Sequence, residues 1–155
     1  MENIKRKIAK ELGNIDSAGV KGSGENFESR PIYFISDTAF APPSDVWETE
    51  DAIHIVMEIA NLFPGDFTVE YVGGYLVIEG HRGEPSIVET AAVQKYHKKE
   101  IDYGDFRVKI KMNTRIDQQA ARAVYKSGML FITLPKQERA GEDTSVEIPV
   151  DFSED

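Results

Sequence analysis

The sequence contains no cysteine, and it has few of the residues that commonly perform chemistry. It has three histidines and one tryptophan among 155 residues. Without cysteine there can be no disulfide framework and no thiolate nucleophile. No apolar run approaches the ~20 residues that a membrane-spanning helix needs, and the N-terminus lacks the apolar core of a secretory signal. We therefore expect a cytoplasmic protein that does not bind membranes.

Catalytic and metal-binding patterns are also missing from the sequence. His54, His81 and His97 do not fall into spacings such as HxxxH or HExxH. The pair Gly73-Gly74 is followed by neither a helix start nor a Lys-Ser/Thr pair, so it predicts a turn and not a phosphate-binding loop. Carboxylates scattered along strands usually form a solvated face. We expect no enzyme activity, no cofactor and no metal ion.

The charge balance argues against nucleic acid as the main partner. The net charge is −9 and the sequence pI is about 4.9, so a phosphate backbone would be repelled. Hydrophobic residues make up 41% and charged residues 29% of the chain. This length and composition suit one domain with a real core and polar tails.

Residues 121–136 predict a β-hairpin. Leu130, Ile132 and Leu134 alternate with their neighbours, as in a strand with one buried face. The turn is predicted at 125–128, where Gly128 is free to adopt a positive φ. Pro135 cannot continue a central ladder, so it is expected to end the strand.

Similar alternation elsewhere predicts an antiparallel, immunoglobulin-like β-sandwich. About seven or eight short strands with turn signals between them are typical of that all-β class. The strands are expected at 44–49, 52–60, 67–71, 75–79, 106–112, 119–125 and 129–134, with further charged alternation at 95–101. The predicted core consists of Ile53, Ile55, Ile59, Leu76, Ile78, Leu130, Ile132 and Leu134.

The segment before the sandwich is expected to be a flexible arm, residues 1–41. Ile4, Ile8 and Leu12 are four apart among basic residues, which predicts a short amphipathic helix that forms against a partner, or else a frayed tail. After a linker rich in Gly and Ser comes an apolar island that either docks on the core or captures something else. Its members are Ile32, Tyr33, Phe34, Ile35 and Phe40.

Several motifs occur in the order that is found in one known family. The hairpin run has Ala123, then Gly128-Met-Leu, Ile132 and Leu134-Pro-Lys. Before it come Pro-Ser-Asp-Val-Trp-Glu at 43–48, the hairpin that ends in Glu-Gly at 79–80, and Tyr-Gly-Asp-Phe at 103–106. Ile148-Pro-Val150 follows in the tail. The sequence resembles the α-crystallin domain of small heat shock proteins, the Hsp20 family, of prokaryotic type, with the domain at 42–136 and a C-terminal extension at 137–155.

The resemblance implies an ATP-independent holdase that binds unfolding client proteins. Clients are expected to bind through Ile4, Ile8, Leu12, Ile32, Tyr33, Phe34, Ile35 and Phe40. Family members form homodimers and usually higher homo-oligomers. A loop as long as 80–97 looks like the family's strand-exchange loop, with Tyr96 near its alternating end, although a plain surface loop is the alternative.

The tail motif is expected to link subunits. In the family, a pair such as Ile148 and Val150 enters a groove on a neighbouring subunit. The expected walls here are the strand that carries Val69 and Tyr71 and the strand at 119–125. Pro149 presets the extended geometry, which lowers the entropy lost on docking.

Four positions depart from the family pattern. Ile101 and Val108 stand where Arg is usual, and residues 112–113 are Met-Asn where Leu-Pro is usual. Because strand side chains alternate, Arg107 and Lys109 are predicted to point away from the side of Val108. These departures affect the expected ionic contacts of the dimer and leave the sandwich expectation unchanged.

Two other protein classes have a similar sandwich. A CS-domain co-chaperone would adapt a larger ATPase chaperone, but such modules normally lack the Ile-x-Val tail and the Gly-x-Leu turn. A ligand-binding sandwich, such as one for sugars, would need clustered exposed aromatics, and Trp47 is the only tryptophan.

Overall fold

Strands make up nearly all the regular structure of the described residues. The computed structural model describes residues 32–36, 38, 40–137 and 145–153. The strands are β1 (Tyr33–Ser36), β2 (Ser44–Glu48), β3 (Ala52–Glu58), β4 (Phe67–Val72), β5 (Tyr75–Arg82), β6 (Gly104–Lys111), β7 (Arg122–Lys126), β8 (Met129–Pro135), β9 (Val146–Glu147) and β10 (Val150–Phe152). One short helix, α1 (Ser86–Glu89), lies between β5 and β6.

The strands form two sheets that enclose a single core. The first sheet has the order β1-β6-β5-β4-β9, and the second has the order β10-β7-β8-β3-β2. All pairings are antiparallel except that of β10 with β7, which is parallel. The predicted all-β sandwich is therefore confirmed.

Two tight hairpins set the register within the sheets. In the β4–β5 hairpin, Gly73 and Gly74 have φ values of 57° and 80°. In the β7–β8 hairpin, Ser127 and Gly128 have φ values of 52° and 76°. Positive φ at both central residues is the condition for the turn that matches the twist of adjoining strands. Both predicted hairpins are confirmed, although β7 continues one residue beyond the predicted end.

The core lies between the inner faces of the two sheets. All eight predicted core residues are at most 1% exposed, so the predicted strand registers are confirmed. Val108 and Ile110 of β6 join them from the first sheet. Burial of one such Ile or Leu side chain contributes about 1.5–3 kcal/mol, which makes this alternation the main determinant of the fold.

The apolar island at 32–40 docks on the sandwich instead of lying apart from it. β1 pairs antiparallel with β6, with Phe34 opposite Ile110. The ring of Phe40 lies 5.8 Å from the ring of Phe106 and is only 8% exposed. The β-structure therefore begins before residue 42, because β6 offers an unpaired edge that this segment completes.

The charged alternation at 95–101 does not form a strand in this chain. All residues between β5 and β6 are described, and their regular structure is limited to α1. The strand expected there was wrong for the single chain. A strand needs a partner strand to satisfy its backbone groups, and this segment pairs with no other strand among the described residues.

Candidate functional site

The C-terminal tail closes one side of the sandwich. β9 pairs antiparallel with β4 of the first sheet, and β10 pairs parallel with β7 of the second sheet. Between them, the amide of Ile148 donates a hydrogen bond of 2.8 Å to the carbonyl of Val69. Pro149, which has no N–H, stands where the tail passes from one sheet to the other. One short segment thus covers an edge strand of each sheet.

The groove that receives the tail lies between β4 of the first sheet and β7 of the second. Ile148 is 2% exposed and belongs to the core cluster, and Val150 packs against that cluster. Val69 and Tyr71 on β4 are buried beside it. On the other wall, Val150 lies opposite Ala123 of β7. The tail lies here in the groove of its own sandwich.

A third tail residue, Phe152, also packs at this groove, and sequence reasoning missed it. Its ring centroid lies 5.2 Å from that of Tyr125 and 5.8 Å from that of Phe67. The Phe67 and Tyr125 rings are themselves 5.8 Å apart. The amide of Ser153 donates to the carbonyl of Tyr125 at 3.0 Å. The available signal was spacing, since Phe152 follows Val150 by the same two residues that separate Val150 from Ile148.

Tyr125 holds this part of the groove in place. Its hydroxyl donates to the carbonyl of Ile59 at 2.9 Å and accepts from the amide of Leu62 at 3.2 Å. Both bonds are buried, so the ring has a fixed position on the sandwich. The turn after β3 is thereby tied to the groove wall.

The opposite side of the second sheet is open. Within the described residues, β2 is paired only with β3. Trp47 on β2 is exposed and stacks on His54 of β3, with ring centroids 5.3 Å apart. Phe131 on β8 is exposed as well. Of these two side chains only Trp47 lies on the edge strand, so the open edge carries one exposed aromatic ring beside unpaired backbone groups.

An ion pair stabilises the end of β2. Lys136 Nζ lies 2.6 Å from Glu48 Oε1 and donates to the Thr49 carbonyl at 2.8 Å. The hydrogen bond from Lys136 is the main reason that the pKa of Glu48 is lowered, with further contributions from the charge of Lys136 and a hydrogen bond from Asn113. The contact joins the end of β8 to the β2–β3 turn.

The loop at 83–103 exposes apolar side chains. Tyr96 is 48% exposed, and the other large exposed residues of the loop are Ile87, Val93 and Ile101. Lys99 Nζ lies 3.2 Å from Glu84 Oε1 and 4.9 Å from the centroid of the Tyr96 ring. The hydrogen bond to Glu84 raises the pKa of Lys99. The loop is internally braced, and its apolar side chains are not covered by any of the described residues.

The two ends of this loop are fastened together. Arg82 donates through its guanidinium to the carbonyl of Asp102. The same guanidinium lies 4.9 Å from the Phe40 ring centroid and 5.7 Å from that of Tyr103. One residue earlier, His81 Nδ1 lies 2.7 Å from Asp105 Oδ1. These contacts hold the end of β5 and the start of β6 together, so the two ends of the loop are fixed relative to each other.

The cations on β6 lie as alternation predicts. Val108 is buried in the core, whereas Arg107 pairs with Glu79 of β5 at 3.2 Å on the outer face. Lys109, which shares that outer face by register, is buried there. The family's usual arginine position is thus filled by a core valine.

The expected client-binding residues fall into two groups. Ile4, Ile8 and Leu12 lie outside the described residues. Tyr33 and Phe34 belong to β1, and Ile32 and Ile35 are half-buried. Phe40 is buried, so in this conformation it is not available to a client.

The described residues offer no metal centre and no membrane span. No group of three or more His, Asp or Glu side chains among them is placed to hold a metal ion. None of the helices in the same residues is both long and apolar enough to cross a membrane.

Comparison with known proteins gives consistent results. The model of the Hsp20/alpha crystallin family matches residues 45–151, which includes both the sandwich and the tail groove. Small heat shock protein C2 of Rickettsia felis is 26% identical over 122 residues, which cover 79% of this chain and 77% of that protein. Heat shock protein 16 of Schizosaccharomyces pombe is 29% identical over 101 residues, which cover 64% of this chain and 69% of that protein.

Solved structures have the same architecture. Heat shock protein 16.0 from Schizosaccharomyces pombe superposes with a TM-score of 0.58 at 26% identity, covering 71% of this chain and 99% of that chain. A small heat-shock protein from Xylella fastidiosa gives a TM-score of 0.57 at 23% identity, covering 68% of this chain and 94% of that chain. The latter likeness concerns the fold alone.

Proposed function

Because the chain belongs to the Hsp20/alpha crystallin family, we propose that it is an ATP-independent holdase chaperone that binds unfolding proteins and keeps them from aggregating. Membership implies a chaperone and not an enzyme. The observation that carries the proposal is the family match over the whole sandwich and its tail motif, residues 45–151. A cytoplasmic location is part of the proposal, since small heat shock proteins typically act in the cytosol, and cell fractionation would test it.

Client capture is assigned to the N-terminal segment. Ile4, Ile8 and Leu12 recur every four residues among cations, and a short apolar stripe of this kind gains structure only against a partner. Ile32 and Ile35 at the half-buried β1 edge extend the surface. Phe40 would take part only if its segment detached from the core, since it packs on Phe106.

Dimerisation by strand exchange is the proposed use of the open edge. The loop at 83–103 presents Tyr96 and Ile101 to solvent, and the charged alternation at 95–101 pairs with no other strand among the described residues. β2 offers an edge with one side unpaired within the described residues. Pairing the loop of one chain with β2 of a second chain would satisfy both.

Higher assembly is assigned to the tail. From Gln137 to Ser145 the chain has eight peptide steps, a reach of up to about 28 Å when extended. A tail with that reach can enter the groove of a second sandwich in place of its own. Many such weak links in a closed assembly are strong together.

The chaperone proposal is tested by heat aggregation of an unrelated enzyme without ATP. The full chain should suppress light scattering at about equimolar ratio, and a variant with Ile4, Ile8 and Leu12 all changed to Ser should suppress it much less. This variant is preferable to removal of residues 1–40, because that cut would also remove β1 and the buried Phe40.

A matched control changes Glu2, Asn14 and Asp16 to Ser in the same segment. The control should protect as well as the unaltered chain. If the apolar variant also protects fully, the clients bind elsewhere. If the unaltered chain fails to suppress aggregation, the holdase proposal itself is refuted.

A further inference from the structure

The groove that holds the tail has an apolar position beyond the Ile-Pro-Val motif. Phe152 packs there in tilted arrangements, with interplanar angles of 57° to Phe67 and 47° to Tyr125. Tilted pairs of aromatic rings at these distances are favourable beyond the area that they bury. We propose that Phe67 and Tyr125 form an aromatic subsite, and that the groove recognises an extended segment with an aromatic residue two positions after the valine.

The sandwich builds this subsite independently of the tail. The hydroxyl of Tyr125 is held by Ile59 and Leu62, both outside the tail. Phe67 lies opposite Gly80 on β5, and a Cβ on Gly80 would overlap the Phe67 Cβ and the Asp66 carbonyl. Glycine therefore lets the strands approach closely enough to seat the Phe67 ring. A site that is formed in advance loses less entropy when it binds.

Backbone pairing fixes the register of the segment in the groove. β10 places Phe152 opposite Tyr125, and the Ser153 amide bonds to the Tyr125 carbonyl at 3.0 Å. At the other end, the Ile148 amide bonds to the Val69 carbonyl. A slip by one residue would turn each apolar side chain away from the groove. Ile148 and Phe152 thus fix both ends of the bound segment.

The occupant is this chain's own tail. The pattern that the groove requires is Ile-Pro-Val, any residue, then an aromatic, and the tail supplies it at 148–152. Any effect of this subsite on the size of the assembly rests on the proposed tail-mediated assembly. Docking of the tail in the groove does not rest on that proposal.

The test uses full-length variants at position 152, with deuterium uptake of the tail at 145–153 as the readout of docking. Phe152→Ala should lower protection of the tail about tenfold, since two ring pairs are lost. Phe152→Tyr should keep it, and Phe152→Leu should lose a large part of it, because leucine fills space but has no ring. Asp151→Ala is the matched control, because side chains alternate along β10 and Asp151 has no ring to pack on Phe67 or Tyr125, so its loss should leave protection unchanged.

Native mass by light scattering separates this inference from the assembly proposal. If Phe152→Ala leaves the tail as protected as before, or if Leu protects as well as Tyr, the aromatic subsite is refuted. If Phe152→Ala loosens the tail but replacing both Ile148 and Val150 by Gly leaves the mass unchanged, the subsite stands and tail-mediated assembly fails. The aromatic subsite is supported if Phe152→Ala and Phe152→Leu lose protection of the tail while Phe152→Tyr and Asp151→Ala keep it. Tail-mediated assembly is supported as well if the variant with Ile148 and Val150 replaced by Gly falls in mass.

Discussion

The two sides of the sandwich differ in whether their edge strands are covered. On one side the tail pairs with β4 and β7, so the edge strands of both sheets are covered by the chain itself. On the other side β2 has one free edge among the described residues, next to the exposed Trp47. Uncovered edges invite pairing with other chains. The closed edge is covered by this chain's own tail, whereas the open edge would be covered by a second molecule under the proposed strand exchange.

The segments that serve these edges differ in their chemistry. The tail is short and apolar on one side, and Pro149 restricts it to an extended form. The loop at 83–103 is long, charged and braced by the Lys99–Glu84 pair, and it has apolar residues that the described part of the chain leaves exposed. A preset short segment suits reversible docking, and a long loop suits exchange between two copies.

Removing the tail anchors should have the largest effect on the size of the assembly. Replacing Ile148 and Val150 together by Gly removes two apolar side chains whose burial contributes roughly 3–5 kcal/mol per tail. We expect large oligomers to fall to dimers by light scattering while the domain stays folded by circular dichroism.

The control for that variant replaces the exposed neighbours Glu147 and Asp151 by Gly. It loosens the backbone equally but keeps the apolar anchors, so the assembly should keep its mass. If the anchor variant and the unaltered chain have equal masses, docking of the tail takes no part in assembly.

Shortening the loop at 83–103 should affect only dimerisation at the open β2 edge. Deleting residues 84–93 should convert dimers to monomers, a twofold fall in mass, because the segment at 95–101 could no longer reach a second sandwich. Analytical ultracentrifugation at several concentrations measures the change.

Replacing residues 84–93 by a Gly/Ser segment of equal length lets the segment at 95–101 still reach a second sandwich. This variant should remain a dimer. Should the shortened chain remain dimeric, strand exchange is excluded and another interface forms the dimer. Deuterium uptake of the tail should be unaffected, since the two edges are separate.

The smallest expected effect concerns the ion pair at the end of β2. The folded state lowers the pKa of Glu48 below 4.5 through its hydrogen bond from Lys136. This carboxylate therefore contributes stability at pH values above 4.5, and the contribution is lost as the pH falls through the folded value. Glu48 is partly exposed, so Glu48→Gln should lower the free energy of unfolding by only about 0–1 kcal/mol at pH 7.

Urea unfolding at pH 7 and at about pH 3 checks this sign. The difference between the unaltered chain and Glu48→Gln should vanish at the lower pH. Glu50→Gln, in the adjoining turn, is the control and should change little at either pH. A difference that persists unchanged in acid would mean that the pair does not act through the charge of Glu48.

The sequence was sufficient for the strands whose side chains alternate across a buried face. Ile53 and Ile55 on β3, like Ile132 on β8, carry that pattern clearly, and the turn glycines mark the hairpins. These are properties of single segments, which propensity and periodicity describe well. The groove walls were expected from the family resemblance alone, because no local pattern in the tail or in the strand with Val69 indicates that the two meet.

Features that depend on a distant partner could not be predicted in the same way. The packing of Phe152 requires β10 to lie parallel to β7, which no local pattern encodes. Whether 32–36 docked or stayed free depended on the unpaired edge of β6. The alternation at 95–101 was visible, but a strand also needs a partner strand, and this segment pairs with none among the described residues.

The crossing of the tail from one sheet to the other has a kinetic consequence. Since a single segment covers β4 and β7, one dissociation step uncovers both strands. The two edges should open with the same rate constant and the same temperature dependence, which makes the response of this side of the molecule to warming all-or-none and not graded.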